Sequence, residues 1–161
     1  MFEGKFNTAL ASASPHAYLN ASMNLPDNIA EMIGDFEFLT DWEDRYMHVI
    51  DMGKQLPPLP DALKVDANKV KGCVSQVWLM TNYDETENLL TFAGDSDAHI
   101  VKGLVAIVME IFSGRTPQTI QELEAEPILA ELGLSEHLSP QRSNGLRAMV
   151  QRIKAEAELR L

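Results

Sequence analysis

The only cysteine of the chain, Cys73, is the residue best able to do chemistry. It follows Gly72 directly and precedes a run rich in β-branched and aromatic residues, which predicts a β-strand from Ser75. A thiolate is a stronger nucleophile than any other side chain in this sequence at neutral pH. Because Gly72 can adopt backbone angles that other residues avoid, a tight loop can hold the thiol at the edge of a sheet. A lone cysteine is more often a small buried hydrophobe, and that alternative stays open at this point.

The four histidines do not predict a second kind of site. None lies at ligand spacing with another histidine or with the cysteine, so no metal site is expected. The sequence also lacks a phosphate-binding glycine loop, a dinucleotide fingerprint and a Gly-x-Ser-x-Gly elbow. A cysteine-dependent hydrolase stays open as an alternative, because three histidines can approach Cys73 in space, although no local signature supports them. These are His48, His99 and His137.

Charged residues in two other segments are candidates for a functional role. Asp95 and Asp97 lie at a predicted strand-to-helix corner, where capping of the helix is the simplest interpretation. Arg142 lies in the first turn of the last predicted helix, where a cation is electrostatically disfavoured. A residue that breaks a local rule is a candidate for a site. Arg142 is therefore predicted to face an anion, and a thiolate or persulfide is such an anion.

Composition excludes several classes of protein. The 161 residues, 45% of them hydrophobic, fit one globular domain with a real core. A net charge of -11 argues against nucleic acid and anionic membrane as partners. The longest apolar run, Leu104–Met109, is too short to span a bilayer, and the N-terminus has no signal-peptide pattern. One cysteine cannot form an internal disulfide, so the reducing cytoplasm is the expected location.

The N-terminal half is predicted to contain a loosely docked lead-in, residues 1–24, and the start of a domain over residues 25–161. The first helix follows Pro26, because four apolar residues fall on one stripe: Ile29, Met32, Ile33 and Phe36. A second helix begins near Thr40, which has capping-box spacing with Glu43, and ends with Gly53 as its C-terminal cap. A proline-rich connector over Leu56–Pro60 follows.

A β-hairpin and an apolar helix form the predicted centre of the domain. One strand is expected from Ser75 to about Asn82 and its antiparallel partner over Leu89–Ala93, while residues 67–70 can add a brief edge strand. The next helix is capped by Ser96 or Asp97 and is apolar around most of its circumference, which places it in the middle of the fold. Gly103 within this helix predicts close packing against a neighbouring backbone.

The C-terminal part is predicted to be helical. Three start signals introduce successive helices, and proline follows each predicted cap: Thr116–Pro117, Glu126–Pro127 and Ser139–Pro140. Gly133 is expected to end the second of these helices. The last helix is expected to turn one apolar stripe inward: Leu146, Met149, Val150 and Ile153.

Three separated segments resemble the SufE family of cysteine-desulfuration proteins, which includes the CsdE proteins. They are Gly72–Trp78, Gly94–Leu104 and Leu138–Leu146. Trp42–Tyr46 and Leu56–Leu59 also match the usual pattern of the family. The resemblance runs from about residue 26 into the C-terminal helix and leaves the lead-in outside.

The resemblance implies an α/β fold of the α+β sandwich type, similar to the IscU scaffold, with a small antiparallel sheet of two to three strands packed by helices. It also implies that Cys73 accepts sulfur from the persulfide of a SufS- or CsdA-like cysteine desulfurase, stimulates that enzyme and passes the sulfur to an iron–sulfur scaffold protein. Pyridoxal phosphate belongs to the desulfurase, and no cofactor is expected here beyond the persulfide. The motifs quoted do not separate SufE from CsdE.

Seven residues are expected to form the persulfide environment or the partner interface: Gly72, Val74, Gln76, Trp78, Asp95, Asp97 and Arg142. Gly72 is the expected hinge of the thiol loop, and Val74 and Trp78 are expected to shelter the persulfide. The two carboxylates are expected to face a partner or to cap the helix. The acidic surface suggests a partner with a basic patch. The rival interpretation is an adaptor for a desulfurase or cluster protein, in which Cys73 is only structural.

Overall fold

The computed structural model describes residues 25–161, so the prediction of a loosely docked lead-in lies outside the described residues. The described part contains seven α-helices and one two-stranded antiparallel sheet, which confirms the α+β class. In chain order these elements are α1 (Asp27–Glu37), α2 (Trp42–Gln55), β1 (Val77–Asp84), β2 (Leu89–Ser96), α3 (His99–Phe112), α4 (Pro117–Glu122), α5 (Ala125–Glu131), α6 (Leu134–His137) and α7 (Pro140–Glu158). Two 3₁₀ turns, Asp61–Leu63 and Asp66–Asn68, lie between α2 and β1. None of the described helices is both long enough and apolar enough to cross a bilayer.

Helix α3 forms the centre of the fold and packs against both α2 and β2. The backbones of α2 and α3 approach closely, because a Cβ atom added to Gly103 would collide with the carbonyl oxygen of Val49. On the other helix, a Cβ added to Gly53 would lie 2.6 Å from the nitrogen of Gly103. The prediction for Gly103 is therefore confirmed. The C-cap prediction for Gly53 is wrong: α2 continues to Gln55, and this glycine provides space for the helix crossing.

The strands of the β-hairpin are shifted from their predicted bounds: β1 begins and ends about two residues later than predicted, and β2 continues three residues beyond Ala93. Its register runs from Val77 opposite Ser96 to Asp84 opposite Leu89. The predicted edge strand over residues 67–70 is reduced to an isolated bridge, in which the Val70 N–H donates to the Val77 carbonyl at 2.8 Å. This bridge fixes one end of the segment that carries the cysteine.

Two helix caps are as predicted. The side-chain oxygen of Thr116 accepts from the Thr119 N–H at 3.1 Å, and that of Ser139 accepts from the Arg142 N–H at 3.3 Å. Both caps are local pairs followed by a proline at the first helical position, which sequence spacing alone can specify. The cap of α7 matters most for the site, because the first turns of that helix face the cysteine.

Three other helix starts differ from prediction. Helix α2 follows Asp41 without a side-chain cap, so the capping box of Thr40 is wrong. Helix α3 follows Ala98, because Ser96 and Asp97 make other contacts described below. Helix α5 begins at Ala125 rather than after Glu126. Gly133, which has φ 74°, lies between α5 and α6 and precedes α6.

The apolar stripes of α1 and α7 point into the core. All four predicted residues of α1 are buried. In α7, Leu146, Met149 and Ile153 are buried, while Val150 is half-buried. These stripes fix α7 beside α3, and the segment before β1 lies across the N-terminal part of α7.

Candidate functional site

The thiol lies on a short loop, residues 71–76, between the Val70 bridge and β1; we call it the thiol loop. Gly72 has φ 96°, a backbone conformation that residues with a side chain rarely adopt. This turn directs the side chain of Cys73 toward α7, where it is half-buried. The next residue, Val74, is 82% exposed. The structure thus holds the nucleophile inward and leaves an apolar neighbour exposed.

The inward thiol contacts the backbone of α7. Its Sγ lies 3.6 Å from the carbonyl oxygen of Gly145, and the S–H group donates to that oxygen. A Cβ atom on residue 145 would lie 3.2 Å from the same Sγ, which is closer than ordinary contact. We call this arrangement the closed position of Cys73.

A cavity of about 430 Å³ opens beside the thiol; we call it the thiol cavity. Its walls come from the thiol loop, from α3 and from the start of α7. The apolar walls are Val74, Val101, Leu104, Leu146 and Met149, and the polar groups are Ser75, Ser139, Gln141 and Arg142. A space of this size can hold a second sulfur atom on Cys73.

The environment keeps the resting thiol uncharged. Burial raises the pKa of the Cys73 thiol above its ordinary value. The Gly145 carbonyl acts in the same direction, because it accepts from the neutral S–H and offers nothing to a thiolate. Cys73 is therefore mostly protonated at neutral pH while it is in the closed position.

The described histidines do not provide a general base for the thiol. His48 packs edge-on against Phe36, with ring centroids 4.9 Å apart, and His137 stacks on Trp42 at 4.4 Å. None of the histidines in residues 25–161 lines the thiol cavity. A cysteine hydrolase needs such a base, so this arrangement gives that alternative no support. Within the same residues, no three His, Cys, Asp or Glu side chains come together as metal ligands.

Asp97 and Gln76 fasten the end of the thiol loop. The Gln76 N–H donates to Oδ1 of Asp97 at 3.0 Å, and the Asp97 N–H donates to the Gln76 carbonyl at 3.3 Å. Ser96 adds an O–H bond of 2.7 Å to the same carbonyl. These bonds explain why neither Ser96 nor Asp97 caps α3. Asp97 is exposed and joins the loop to the corner between β2 and α3.

Asp95 corrects an expectation, because it faces neither the surface nor the helix end. Its side chain is 4% exposed and lies between two ammonium groups, 3.3 Å from Lys102 and 3.5 Å from Lys64. It also accepts from the backbone N–H groups of Leu59 at 3.2 Å and Ser96 at 2.8 Å. The carboxylate joins the connector, β2 and α3 in the interior, so it is not available to a partner.

The contacts of Asp95 also determine its charge. Burial alone would raise the pKa of Asp95, but the N–H groups of Leu59 and Ser96 and the ammonium of Lys102 outweigh that effect. The pKa of this carboxyl therefore lies below its ordinary value, and the side chain is ionised at neutral pH.

Trp78 also lies away from the thiol cavity. It is buried in β1, and the ammonium of Lys64 lies over its ring, 5.4 Å from the centroid. The ring therefore belongs to the neighbourhood of Asp95, and Val74 projects mostly into solvent. Trp78 does not line the thiol cavity, whereas Val74 does, so the shelter of a persulfide by these two residues stays a prediction. The other apolar walls of the cavity come from α3 and α7.

Arg142 lies at the polar side of the thiol cavity, as a residue that faces an anion should. Its side chain is exposed, and its backbone N–H takes part in the cap of α7. Among the described residues no carboxylate lies within ion-pair distance of its guanidinium. The positive charge is thus free to meet an anionic group at the cavity.

Comparison with known proteins gives the site its context. A family model described as SufE, Fe-S metabolism associated domain, matches residues 30–157. The chain belongs to the SufE family. The matched range contains the thiol loop, both strands and nearly all of α7, and it associates the chain with iron–sulfur metabolism.

Two relatives of the chain are also named SufE-like proteins. An uncharacterized SufE-like protein of Rhizobium meliloti is 54% identical over 136 residues, which cover 83% of this chain and 97% of the relative. A second SufE-like protein, from Rhizobium etli, is 52% identical over 135 residues and is covered to 91%. A solution structure of a hypothetical protein from Thermus thermophilus has a TM-score of 0.68 at 19% identity and covers 84% of this chain and 97% of its own. That likeness shows the fold alone.

Sequence reasoning missed some residues of this SufE-family site. The sequence patterns include Gly145 only within the segment Leu138–Leu146, although a glycine inside a helix is itself a signal of close approach. Leu146 and Met149 were predicted as core and also line the thiol cavity. Val101 and Leu104 do the same from α3.

Proposed function

We propose that this SufE-family chain is a sulfur carrier, which accepts persulfide sulfur on Cys73 from a cysteine desulfurase and passes it to an iron–sulfur assembly scaffold. The observation that carries the proposal is the position of the only thiol. It lies on a loop with a glycine turn, beside a cavity large enough for a second sulfur atom. The reducing cytoplasm suits a protein whose chemistry needs a free thiol.

The transfer is an exchange between a thiolate and a persulfide. The Cys73 thiolate attacks the outer sulfur of the desulfurase persulfide, a new S–S bond forms on Cys73, and the desulfurase cysteine leaves as a thiolate. In the second step a thiolate of the scaffold attacks the outer sulfur, and Cys73 leaves as a thiolate. No net oxidation occurs in either step. The pyridoxal phosphate that produces the first persulfide belongs to the desulfurase.

Stimulation of the desulfurase follows from the first step. The desulfurase cysteine becomes free for another turnover once its sulfur has moved to Cys73. Because the closed position holds a neutral thiol, the thiol loop must move before the attack, and the Gly72 turn is the hinge. Outside the closed position the thiol regains its ordinary acidity and becomes a better nucleophile.

Arg142 has a role at the same cavity. A guanidinium at its polar side stabilises negative charge on the outer sulfur, whereas the carbonyl of Gly145 does not. Asp97 holds the far end of the thiol loop, so that movement is confined to residues 71–75. Arg142 therefore acts on the charge of the transferred sulfur, and Asp97 acts only through the position of the loop.

The intact mass of the protein tests the proposal. After incubation with cysteine and each purified cysteine desulfurase of the source organism, we expect one added sulfur that dithiothreitol removes. Cys73→Ser should show no adduct and no stimulation of the desulfurase, while its circular dichroism spectrum stays unchanged. The exposed neighbour of Cys73 supplies a matched control: Cys73→Ser combined with Val74→Cys moves the thiol by one residue, to a position that is 82% exposed and lacks the contact with Gly145.

The results distinguish a carrier from an adaptor. The half-buried resting thiol favours the adaptor as the second candidate, since a structural cysteine would have the same burial. Full stimulation by Cys73→Ser would exclude the carrier and support the adaptor. Equal stimulation by the protein with the relocated thiol would show that any accessible thiol suffices and that the position of Cys73 against α7 has no role.

A further inference from the structure

Gly145 lies in the interior of α7, where glycine is unfavourable relative to alanine. Its backbone angles do not require a glycine, because the described glycines with positive φ are Gly72, Gly114 and Gly133. Space is what requires it. The three nearest atoms to an added Cβ all belong to Cys73: its Sγ at 3.2 Å, its Cβ at 3.7 Å and its Cα at 3.8 Å.

The carbonyl of the same residue determines which form of sulfur fits. Its oxygen accepts the S–H group of Cys73 at 3.6 Å. A thiolate has no proton to donate, and it would bring negative charge to a carbonyl oxygen in a half-buried position. A persulfide has the same difficulty: its Sγ is bonded to Cβ and to the outer sulfur and carries no hydrogen, while the outer sulfur carries the charge.

We propose that Gly145 is a positioning residue that makes the closed position selective for the uncharged thiol of Cys73. The missing side chain gives the sulfur its space, and the carbonyl binds only the protonated atom. Ionisation, with the proton passing to solvent, therefore releases the thiol loop, and so does sulfur loading. The biological meaning of this selectivity rests on the proposed function, but the geometry does not depend on any desulfurase.

Alkylation of Cys73 by iodoacetamide, followed as a function of pH, tests the positioning role. Gly145→Ala and Gly145→Val crowd the sulfur by increasing amounts, and overpacking of this kind should raise the alkylation rate at pH 7 by roughly five- to tenfold. The midpoint of the pH profile should also move down toward that of an unburied thiol. A change in general stability would not move this midpoint in the folded protein.

Gly34→Ala is the matched control. Gly34 also lies in a helix, α1, and an added Cβ would meet no atom within 4 Å. Its alkylation rate and pH midpoint should equal those of the unmodified protein. Unchanged values in both Gly145 variants would overturn the proposal. If Gly145→Val does not fold, Gly145→Ala decides, because alanine is favourable in a helix and the crowding amounts to a few tenths of an ångström.

The effect of sulfur loading is tested on the unmodified chain. Inorganic polysulfide converts the thiol of Cys73 to a persulfide without any partner protein, and intact mass verifies the product. The ¹⁵N heteronuclear NOE of the Cys73 and Val74 amides should fall on loading and recover after dithiothreitol. Equal values in both states would overturn the selectivity. Because this test uses no desulfurase, its failure and the failure of the proposed transfer are separate results.

Discussion

Asp95 joins three parts of the chain that are distant in sequence. It accepts from Leu59 of the connector and lies between Lys64 and Lys102, the latter on α3. Among the described residues it is the only buried charged side chain. Removal of one partner from a buried ion pair leaves the other charge uncompensated, which makes such a pair costly to break. The position of β2 beside α3 therefore depends on this carboxylate.

Asp95→Asn should lower the free energy of unfolding by about 3 kcal/mol at pH 7, because Lys102 loses its carboxylate partner and Lys64 keeps only the exposed Asp61. The folded protein holds the pKa of Asp95 below its ordinary value, so this stabilisation is complete above about pH 4 and is lost as the pH falls through the lowered pKa. The difference between variant and unmodified protein should therefore shrink in acid. Urea unfolding at pH 7 and at successively lower pH measures it.

Asp35→Asn is the control for this prediction, since Asp35 is exposed on α1 and its removal takes away the same charge. We expect a change within about 0.5 kcal/mol, as for ordinary surface substitutions. Equal losses from Asp95→Asn and Asp35→Asn would mean that the buried contacts contribute nothing specific.

At the level of the elements, the crossing of α2 and α3 determines the shape of the core. The two helices approach at Gly53 and Gly103, where backbone meets backbone. Such an approach lets α3 bury nine residues while it contacts both α2 and the sheet. The walls of the thiol cavity that come from Val101 and Leu104 depend on this position of α3.

Gly103→Ala should destabilise the protein by about 3 kcal/mol, because the added Cβ collides with the carbonyl of Val49 and the two helices must separate. Gly34→Ala should instead be neutral or stabilising by up to about 1 kcal/mol, since its Cβ meets open space in a helix. Thermal and urea unfolding of the two variants measure the difference. A Gly103→Ala protein as stable as Gly34→Ala would refute the close approach.

Local patterns made part of this arrangement predictable. The apolar stripe of α1 and the caps at Thr116 and Ser139 involve residues within one or two turns of each other, so periodicity and spacing specify them. The positions of Asp95 and Gly145 depend on partners 36 and 72 residues away. Local spacing cannot predict contacts between residues so far apart in sequence. For this reason the prediction that Asp95 or Asp97 caps the helix was wrong.

At the level of the whole molecule, the charge is unevenly distributed. The chain has 24 acidic residues and a net charge of -11, yet residues 137–155, which include most of α7, contain none of them. That range contains four basic residues instead: Arg142, Arg147, Arg152 and Lys154. Of these four, Arg142 lines the thiol cavity, whereas Arg147 pairs with Glu126 at 3.4 Å and Lys154 lies over the ring of Phe112. Arg142 would suit an acidic group on the proposed desulfurase, while the expectation that the acidic surface meets a basic patch stays a prediction.

Arg142→Gln should weaken binding to the cognate desulfurase by up to about fivefold, the range of one exposed ion pair, and should reduce the dependence of binding on salt. Lys54→Gln removes an equal charge from α2, where the ammonium is exposed and pairs with Asp51 at 3.8 Å, and should change neither quantity. Titration calorimetry at two ionic strengths measures both. Binding that strengthens with salt would contradict an acidic partner surface.

If the chain is the sulfur carrier proposed above, the exposed Val74 can couple the binding of a partner to the reactivity of Cys73. Its apolar side chain is left in water, and its removal from water is worth about 1.5–3 kcal/mol when burial is complete. Val74 is adjacent to Cys73 on the same short loop, so a protein that encloses the valine can use the energy released to pull the loop, and the sulfur with it, out of the closed position. Small oxidants and alkylating metabolites cannot bury Val74. Cys73 would therefore meet them in the closed position, as the unreactive protonated thiol.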